Sequence, residues 1–182
     1  MFLISFGVYA ADNSISIDQI GNNNQYTVTQ EYSGKYVNIS VGGVASSDSN
    51  VISVTQQDTG SHSASIELPN GINNGVNITQ AGGGNQTTSI QNFVGSSNSI
   101  SVNQSGNSNN TFNVLGTGTN NANTISATQI GNAGADKSFT LNMNGTNGAS
   151  VTIQQTNPTQ SNSGSMSINC YTGCGNYSYI KN

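Results

Sequence analysis

Charge is what this chain has least of. Its 182 residues include three Lys, no Arg and seven Asp or Glu, for a net charge of −4. Lys35, Lys137 and Lys181 are too few and too far apart to neutralise a run of phosphates, which excludes nucleic acid as an expected partner. The carboxylates Asp12, Asp18, Glu31, Asp48, Asp58, Glu67 and Asp136 are scattered, so no pair is set up for acid–base work. His62 is the only histidine, and Cys170 and Cys174 are the only cysteines, too few for a tetrahedral zinc site. No enzyme constellation, metal, cofactor or small-molecule substrate is therefore expected. Trp is absent, Pro occurs twice and apolar residues make up 32%, which leaves little to fill a globular core. No apolar run approaches the roughly 20 residues of a membrane-spanning helix.

Asn, Ser, Thr, Gly and Gln are plentiful, and they are ordered. Asn13 to Gln30 holds two copies, eleven residues apart, of one phrase: Asn, any, apolar, any, apolar, any, Gln. Strict alternation marks a strand with one buried face, so Asn13, Ile15, Ile17 and Gln19 point one way and Ser14, Ser16 and Asp18 the other. A disordered chain of this polarity would carry more net charge and no period of two. The link Ile20-Gly21-Asn22-Asn23 is short and turn-prone.

The phrase recurs from Asn13, Asn24, Lys35, Asn50, His62, Asn74, Asn85, Asn98, Asn110, Asn123, Lys137, Ala149, Gly164 and Gly175, in units of about 25 residues when paired. That period signals a solenoid. Every even-numbered phrase except the last closes on glutamine, at Gln30, Gln56, Gln80, Gln104, Gln129 and Gln155, with spacings of 26, 24, 24, 25 and 26. Odd ones close on Gln19, Val41, Leu68, Gln91, Gly116, Met143 and Cys170. Two strands per turn would stack even on even and odd on odd, one column regular and the other variable. The even column brings inward Tyr26/Val28, Ile52/Val54, Val76/Ile78, Ile100/Val102, Ile125/Ala127, Val151/Ile153 and Tyr177/Tyr179. The odd column brings Ile15/Ile17, Val37/Ile39, Ala64/Ile66, Thr87/Ser89, Phe112/Val114, Phe139/Leu141 and Met166/Ile168.

About four inward side chains per turn, worth roughly 1.5–3 kcal/mol each, cannot offset the roughly 1–2 kcal/mol of backbone entropy lost by each of about 25 residues. Stability must come from stacking, with backbone hydrogen bonds between turns every ~4.8 Å. Inward amides are costly unless paired, and in-register stacking lets each donate to one neighbour and accept from the other. The expected fold is thus all-β, a two-sheet β-solenoid of seven two-strand turns, roughly 34 Å tall. Its expected ladder is Asn13, Gln19, Asn24, Gln30, Asn50, Gln56, Asn74, Gln80, Asn85, Gln91, Asn98, Gln104, Asn123, Gln129 and Gln155. His62 is expected as a solvent-edge occupant of the Asn position. Pro69 and Pro158 fall between phrases, where a missing N–H harms no ladder.

Residues 1–11 are apolar and end in Ala10-Ala11, like the hydrophobic core and cleavage zone of a secretory leader without its basic start. The solenoid is expected over 12–170, and 171–182 are expected to form an atypical last turn, with Tyr177, Tyr179 and Lys181, that caps the end with a blunting charge. Cys170 and Cys174 are either a small-loop disulfide or two free thiols.

The first unit resembles the curlin repeat of bacterial curli fibres, Asn/Ser-x5-Gln-x-Gly-x2-Asn-x-Ala-x3-Gln: Asn13, Gln19, Gly21, Asn24 and Gln30 fall on it, with Tyr26 in the small-residue place. Asn74, Gln80, Gly82, Asn85 and Gln91 match again, bridging two turns. Asn98, Gln104, Gly106 and Asn109 match in part, and Asn123, Gln129 and Gly131 in the first half. The resemblance covers about residues 13–155. It implies a secreted, cell-surface subunit of a functional amyloid in biofilm matrix and adhesion. Such a subunit is exported unfolded, meets outer-membrane secretion and nucleation partners, and polymerises end to end with itself. Two other functions suit a flat polar solenoid: an adhesin or fibre segment binding surface glycans, and an ice-binding protein using the outward Thr, Ser and Asn of the even column.

Overall fold

A computed structural model describes residues 12–42, 48–68, 70–91 and 93–182, together with the course of the chain over 3–8. The described residues hold no helix and fifteen strands: β1 (Leu3–Val8), β2 (Ser14–Gln19), β3 (Gln25–Gln30), β4 (Tyr36–Val41), β5 (Val51–Gln56), β6 (Ser63–Leu68), β7 (Gly75–Gln80), β8 (Gln86–Gln91), β9 (Ser99–Gly106), β10 (Asn110–Thr117), β11 (Thr124–Gly131), β12 (Lys137–Asn144), β13 (Ser150–Gln155), β14 (Asn162–Asn169) and β15 (Asn176–Lys181). Odd-numbered strands form one sheet in the order β1-β3-β5-β7-β9-β11-β13-β15, and even-numbered strands a second, from β2 to β14. All pairing between these strands is parallel. Each strand thus pairs with the strand one winding away, and β2 to β15 make seven consecutive two-strand windings of a β-solenoid.

The core lies between the two walls. Inward rows are almost fully buried, as in Ile52/Val54 of β5, Ile66/Leu68 of β6 and Phe139/Leu141 of β12, each at 0 or 1% exposure. At the two ends the cover thins. Ile15 and Ile17 of β2, Met166 of β14, and Tyr177 and Tyr179 of β15 are only partly buried, because among the described residues no further strand pairs outside β2, β14 or β15.

The corners between sheets repeat as strictly as the strands. From β3 to β13 of the larger sheet, the residue preceding each strand-opening Asn, or the Ala149 that replaces it, takes positive φ: Asn23, Ser49, Asn73, Ser97, Ala122 and Gly148 lie between 51° and 76°. Corner backbones also bond to one another, as in Gly60 N–H to Gly82 O (3.0 Å), Gly84 N–H to Gly106 O (3.2 Å) and Ser108 N–H to Gly131 O (3.2 Å). Gly82 and Gly106 both sit at φ 102°, where a Cβ would lie 2.3 Å and 2.1 Å from the carbonyl oxygen of the next corner. Only Gly permits that approach.

Leu3–Val8, the apolar part of the expected leader, runs as β1 against β3, with Leu3 opposite Gln25 and Val8 opposite Gln30. Ala10, Ala11 and Pro69 lie outside the described residues.

Two expected registers are corrected. In β8 the buried residues are Gln86, Thr88 and Ile90, so Asn85 and Gln91 face solvent, and Thr87 and Ser89 turn outward. A one-residue slip reverses every side chain, and this one puts Ile90 in the core. In β14 the slip is two residues: Asn162, not Gly164, stacks on Lys137, and Gly164 lies over Phe139. Ile168 then closes the row opposite Met143, and Cys170 falls beyond the strand.

Candidate functional site: amide ladders and open ends

The even-phrase glutamines form one continuous ladder. Gln30 Nε2 donates to Gln56 Oε1 (2.9 Å), Gln56 to Gln80 (2.8 Å), Gln80 to Gln104 (3.0 Å), Gln104 to Gln129 (2.8 Å) and Gln129 to Gln155 (2.7 Å). Each Nε2 has a second proton, which crosses to the opposite wall. The acceptors are the backbone oxygens of Ser14, Tyr36, Ser63, Thr87, Thr111 and Ser138, taken in ladder order at 2.9 to 3.4 Å. One amide therefore ties winding to winding and sheet to sheet.

The asparagines that open the same strands form a second ladder of opposite direction. Asn50, Asn74, Asn98 and Asn123 each donate both backbone N–H and Nδ2 to the Oδ1 of the preceding asparagine, at 2.8 to 3.1 Å, starting from Asn24. Their remaining Nδ2 protons go to the corner carbonyls of Gly71, Gly95, Asn120 and Thr146. The ladder stops at Ala149, which donates its N–H to Asn123 Oδ1 (2.8 Å) and has no amide to continue.

The other wall opens its strands with Asn13, Lys35, His62, Gln86, Asn110, Lys137 and Asn162, and no single ladder is possible there. Lys35 is 1% exposed, its ammonium donating to the carbonyls of Ser33 (3.3 Å), Asp58 (2.8 Å) and Gly60 (2.6 Å). Lys137, equally buried, donates to the carbonyls of Asn157 and Gln160. Burial lowers the pKa of both, with Asp58 opposing the shift at Lys35 and Asp136 at Lys137. His62 is not at the solvent edge; it is 1% exposed. Its Nε2 lies 2.7 Å from Gln57 O, and its Nδ1 accepts the Gln86 N–H at 3.3 Å, an arrangement that uses the neutral imidazole. Desolvation accordingly pushes its pKa down to about 4.

Gln19 stays apart from the Gln ladder, its Nε2 bonding Gly21 O (2.7 Å). Asn13 Oδ1 accepts the Lys35 N–H (2.9 Å). Asn85 joins an outer corner stack instead of the core: its Oδ1 accepts the Ser61 N–H, its N–H donates to Asn109 Oδ1, and Asn109 N–H donates to Asp136 Oδ1. Gln91 is exposed and opposite Leu115. Cys170 and Cys174 are joined by a disulfide that closes the last corner. Sequence reasoning missed buried Gln86, Thr88 and Phe93; Thr88 Oγ1 donates to Gln104 Oε1 (2.8 Å), adding a hydroxyl to the ladder.

Outward rows are ranked but mixed. Across the larger sheet one row reads Thr27, Ser53, Asn77, Ser101, Ser126, Thr152 and the next Thr29, Thr55, Thr79, Asn103, Thr128, Gln154. A shallow depression there surrounds Gly75, between Val51 and Ser99. Among the described residues no three His, Cys, Asp or Glu side chains gather as a metal-binding set, and no helix is long and apolar enough to cross a membrane.

The ends differ from the interior. At the first, Gln30 Oε1 is buried without a partner, because the ladder that supplies the oxygens of Gln56 to Gln155 has no earlier rung, and Gln19 Oε1 on the other wall is likewise unpaired. At the last, Lys181 stands opposite Gln155 in the ladder column and is exposed. Tyr179 leans across between the walls, its ring centroid 4.8 Å from that of Phe139 and its hydroxyl donating to Ser163 O (3.0 Å). It fills the space above Gly164, where a Cβ would meet its ring at 2.7 Å. No family model, curated protein or solved structure matches the chain.

Proposed function

We propose that this chain is a secreted structural subunit that assembles end to end, with itself, into curli-like fibres at the cell surface. The observation that carries the reading is the pair of open ends on a uniform interior. Ile15 and Ile17 at one end, and Met166, Tyr177 and Tyr179 at the other, are core residues lacking their next layer. Exposed strand edges of this kind template the addition of another chain. A second copy supplies such a layer in the same chemistry that the interior already uses. Secretion and nucleation partners at the outer membrane belong to this reading through the curlin-like phrase.

The mixed outward rows favour neither a regular ice lattice nor a defined sugar pocket, so the adhesin and ice-binding readings rank below. The test is fibre formation by freshly purified protein at micromolar concentration. Fibrils that bind an amyloid dye and diffract at about 4.8 Å along the axis and about 10 Å across it are expected. A chain that stays monomeric when seeded, or that instead inhibits ice recrystallisation or binds immobilised glycans, overturns the proposal.

A further inference from the structure

Resting on the fibre reading, we infer that β1 is a removable cap. While attached it blocks the growing edge at β3. Its release lets β15 of one copy pair with β3 of the next and β14 pair with β2, with Lys181 placed over Gln30.

Three observations converge. The first is a matter of parity. Among the described residues the two walls contain, with β1, eight and seven strands. End-to-end stacking requires both walls to advance equally per copy, and an extra strand leaves one wall ahead by about 4.8 Å. Without β1 each wall has seven strands, and both continue through the junction.

The second is burial. Tyr26 and Val28 of β3, against which β1 lies, are 1% exposed, whereas Ile15 and Ile17 of the neighbouring β2 are only partly covered. With β1 in place the Tyr26/Val28 layer is closed at this end. Removing it opens Tyr26 and Val28 as well, opposite Tyr177 and Tyr179 when the strand register is carried across the junction.

The third is the polarity of the glutamine ladder. Each glutamine donates to the next one along the chain, so the junction needs a donor from the last winding and an acceptor on the first. Lys181 is a donor only, and Gln30 Oε1 is a buried acceptor without a partner. The residue that β1 sets opposite Gln30 is Val8, which has no side-chain donor.

The test uses the full chain with a specific protease site replacing residues 9–11, compared cut and uncut in elongation of preformed seeds. A second full chain, uncut and carrying Ser5→Pro with Phe6→Pro, removes the β1–β3 pairing alone, because adjacent strand residues direct their N–H groups to opposite sides and one of the two prolines must fall on the β3 side. Cutting should speed elongation at least tenfold, and the proline chain should match the cut one. In the cut chain Lys181→Glu should slow elongation at least tenfold and Lys181→Gln should not. Equal rates for cut and uncut chains refute the cap and leave the fibre reading standing. A proline chain that stays as slow as the uncut one refutes a cap made by strand pairing. Equal rates for the two Lys181 variants refute the junction register. Failure of every chain to elongate refutes both the inference and the fibre reading.

Discussion

Replacing Gln80 by Leu removes one rung from the middle of the glutamine ladder at nearly constant volume. Gln80 accepts from Gln56 Nε2 (2.8 Å) and donates to Gln104 Oε1 (3.0 Å) and Ser63 O (2.9 Å). After the change Gln104 Oε1 keeps Thr88 Oγ1 (2.8 Å), but one Gln56 N–H and the Ser63 carbonyl lose these partners. Leaving the Gln56 N–H unpaired in the core and taking one bond from the part-buried Ser63 carbonyl costs about 2–5 kcal/mol, and the added apolar burial of Leu returns about 1.5–3 kcal/mol. The net loss is about 1 kcal/mol. The same substitution at Gln30 differs in kind, because its own Oε1 is already unpaired and its second donor contact is long, 3.4 Å to Ser14 O. Deleting that unpaired oxygen offsets the damage to Gln56, and the net change is near zero. Urea unfolding of fresh monomer, followed by circular dichroism, should therefore place the Gln80→Leu midpoint about 0.5 M below that of Gln30→Leu, at a slope of about 2 kcal/mol per M. Equal midpoints, or a larger loss at Gln30, would refute the view that the ladder stabilises the fold through paired amides.

His62 makes stability depend on pH. Its pKa falls from 6.5 to about 4 on folding, so its contribution is complete above pH 6.5 and is lost as pH drops through 4, a change of about 3 kcal/mol. His62→Gln should flatten that part of the urea-midpoint profile, and identical profiles for the two chains would contradict the buried neutral imidazole. The corners give a pair of opposite sign. Ala122 sits at φ 51°, so Ala122→Gly should stabilise by about 0.5–1 kcal/mol. Gly82→Ala, with its Cβ 2.3 Å from Gly106 O, should destabilise by about 2 kcal/mol or more, and thermal melts of the two variants check both signs.

The glutamine column was legible in sequence because its spacing of 24 to 26 residues equals one winding, so identity along the chain becomes contact in space. The segment Asn85 to Gln91 was less so, since either frame opens with an amide. Asn85, Thr87 and Ser89 fit the repeat pattern, yet Gln86, Thr88 and Ile90 bury the only large apolar side chain, a difference worth roughly 1.5–3 kcal/mol. Burial outranked the motif. Periodicity is silent about β14, where a two-residue slip keeps the same face inward. Space decided there, because Phe139 and Tyr179 together occupy the volume beside Gly164 that any side chain would need. His62 read as a solvent-edge residue and the burial of Lys35 gave no signal, because the groups that satisfy them, Gln57 O and Gln86 N–H for one and the Asp58 and Gly60 carbonyls for the other, belong to corners or windings elsewhere along the chain.

The two amide ladders of the even column run in opposite senses, glutamine donating toward the C-terminus and asparagine toward the N-terminus. Their dipoles oppose, so adding windings does not accumulate charge at the ends, and each interior winding contributes a similar increment whatever its position. The cost that does not shrink with length is that of the two ends. Ile15, Ile17, Met166, Tyr177 and Tyr179 lie there half-covered, and Gln30 Oε1 lies there without a donor. A longer chain would carry the same two ends; joining two chains removes one of each. If chains join end to end as proposed, the low charge offers little repulsion of a second copy, and the saving is larger for a chain without β1, whose loss opens Tyr26 and Val28 at the same end.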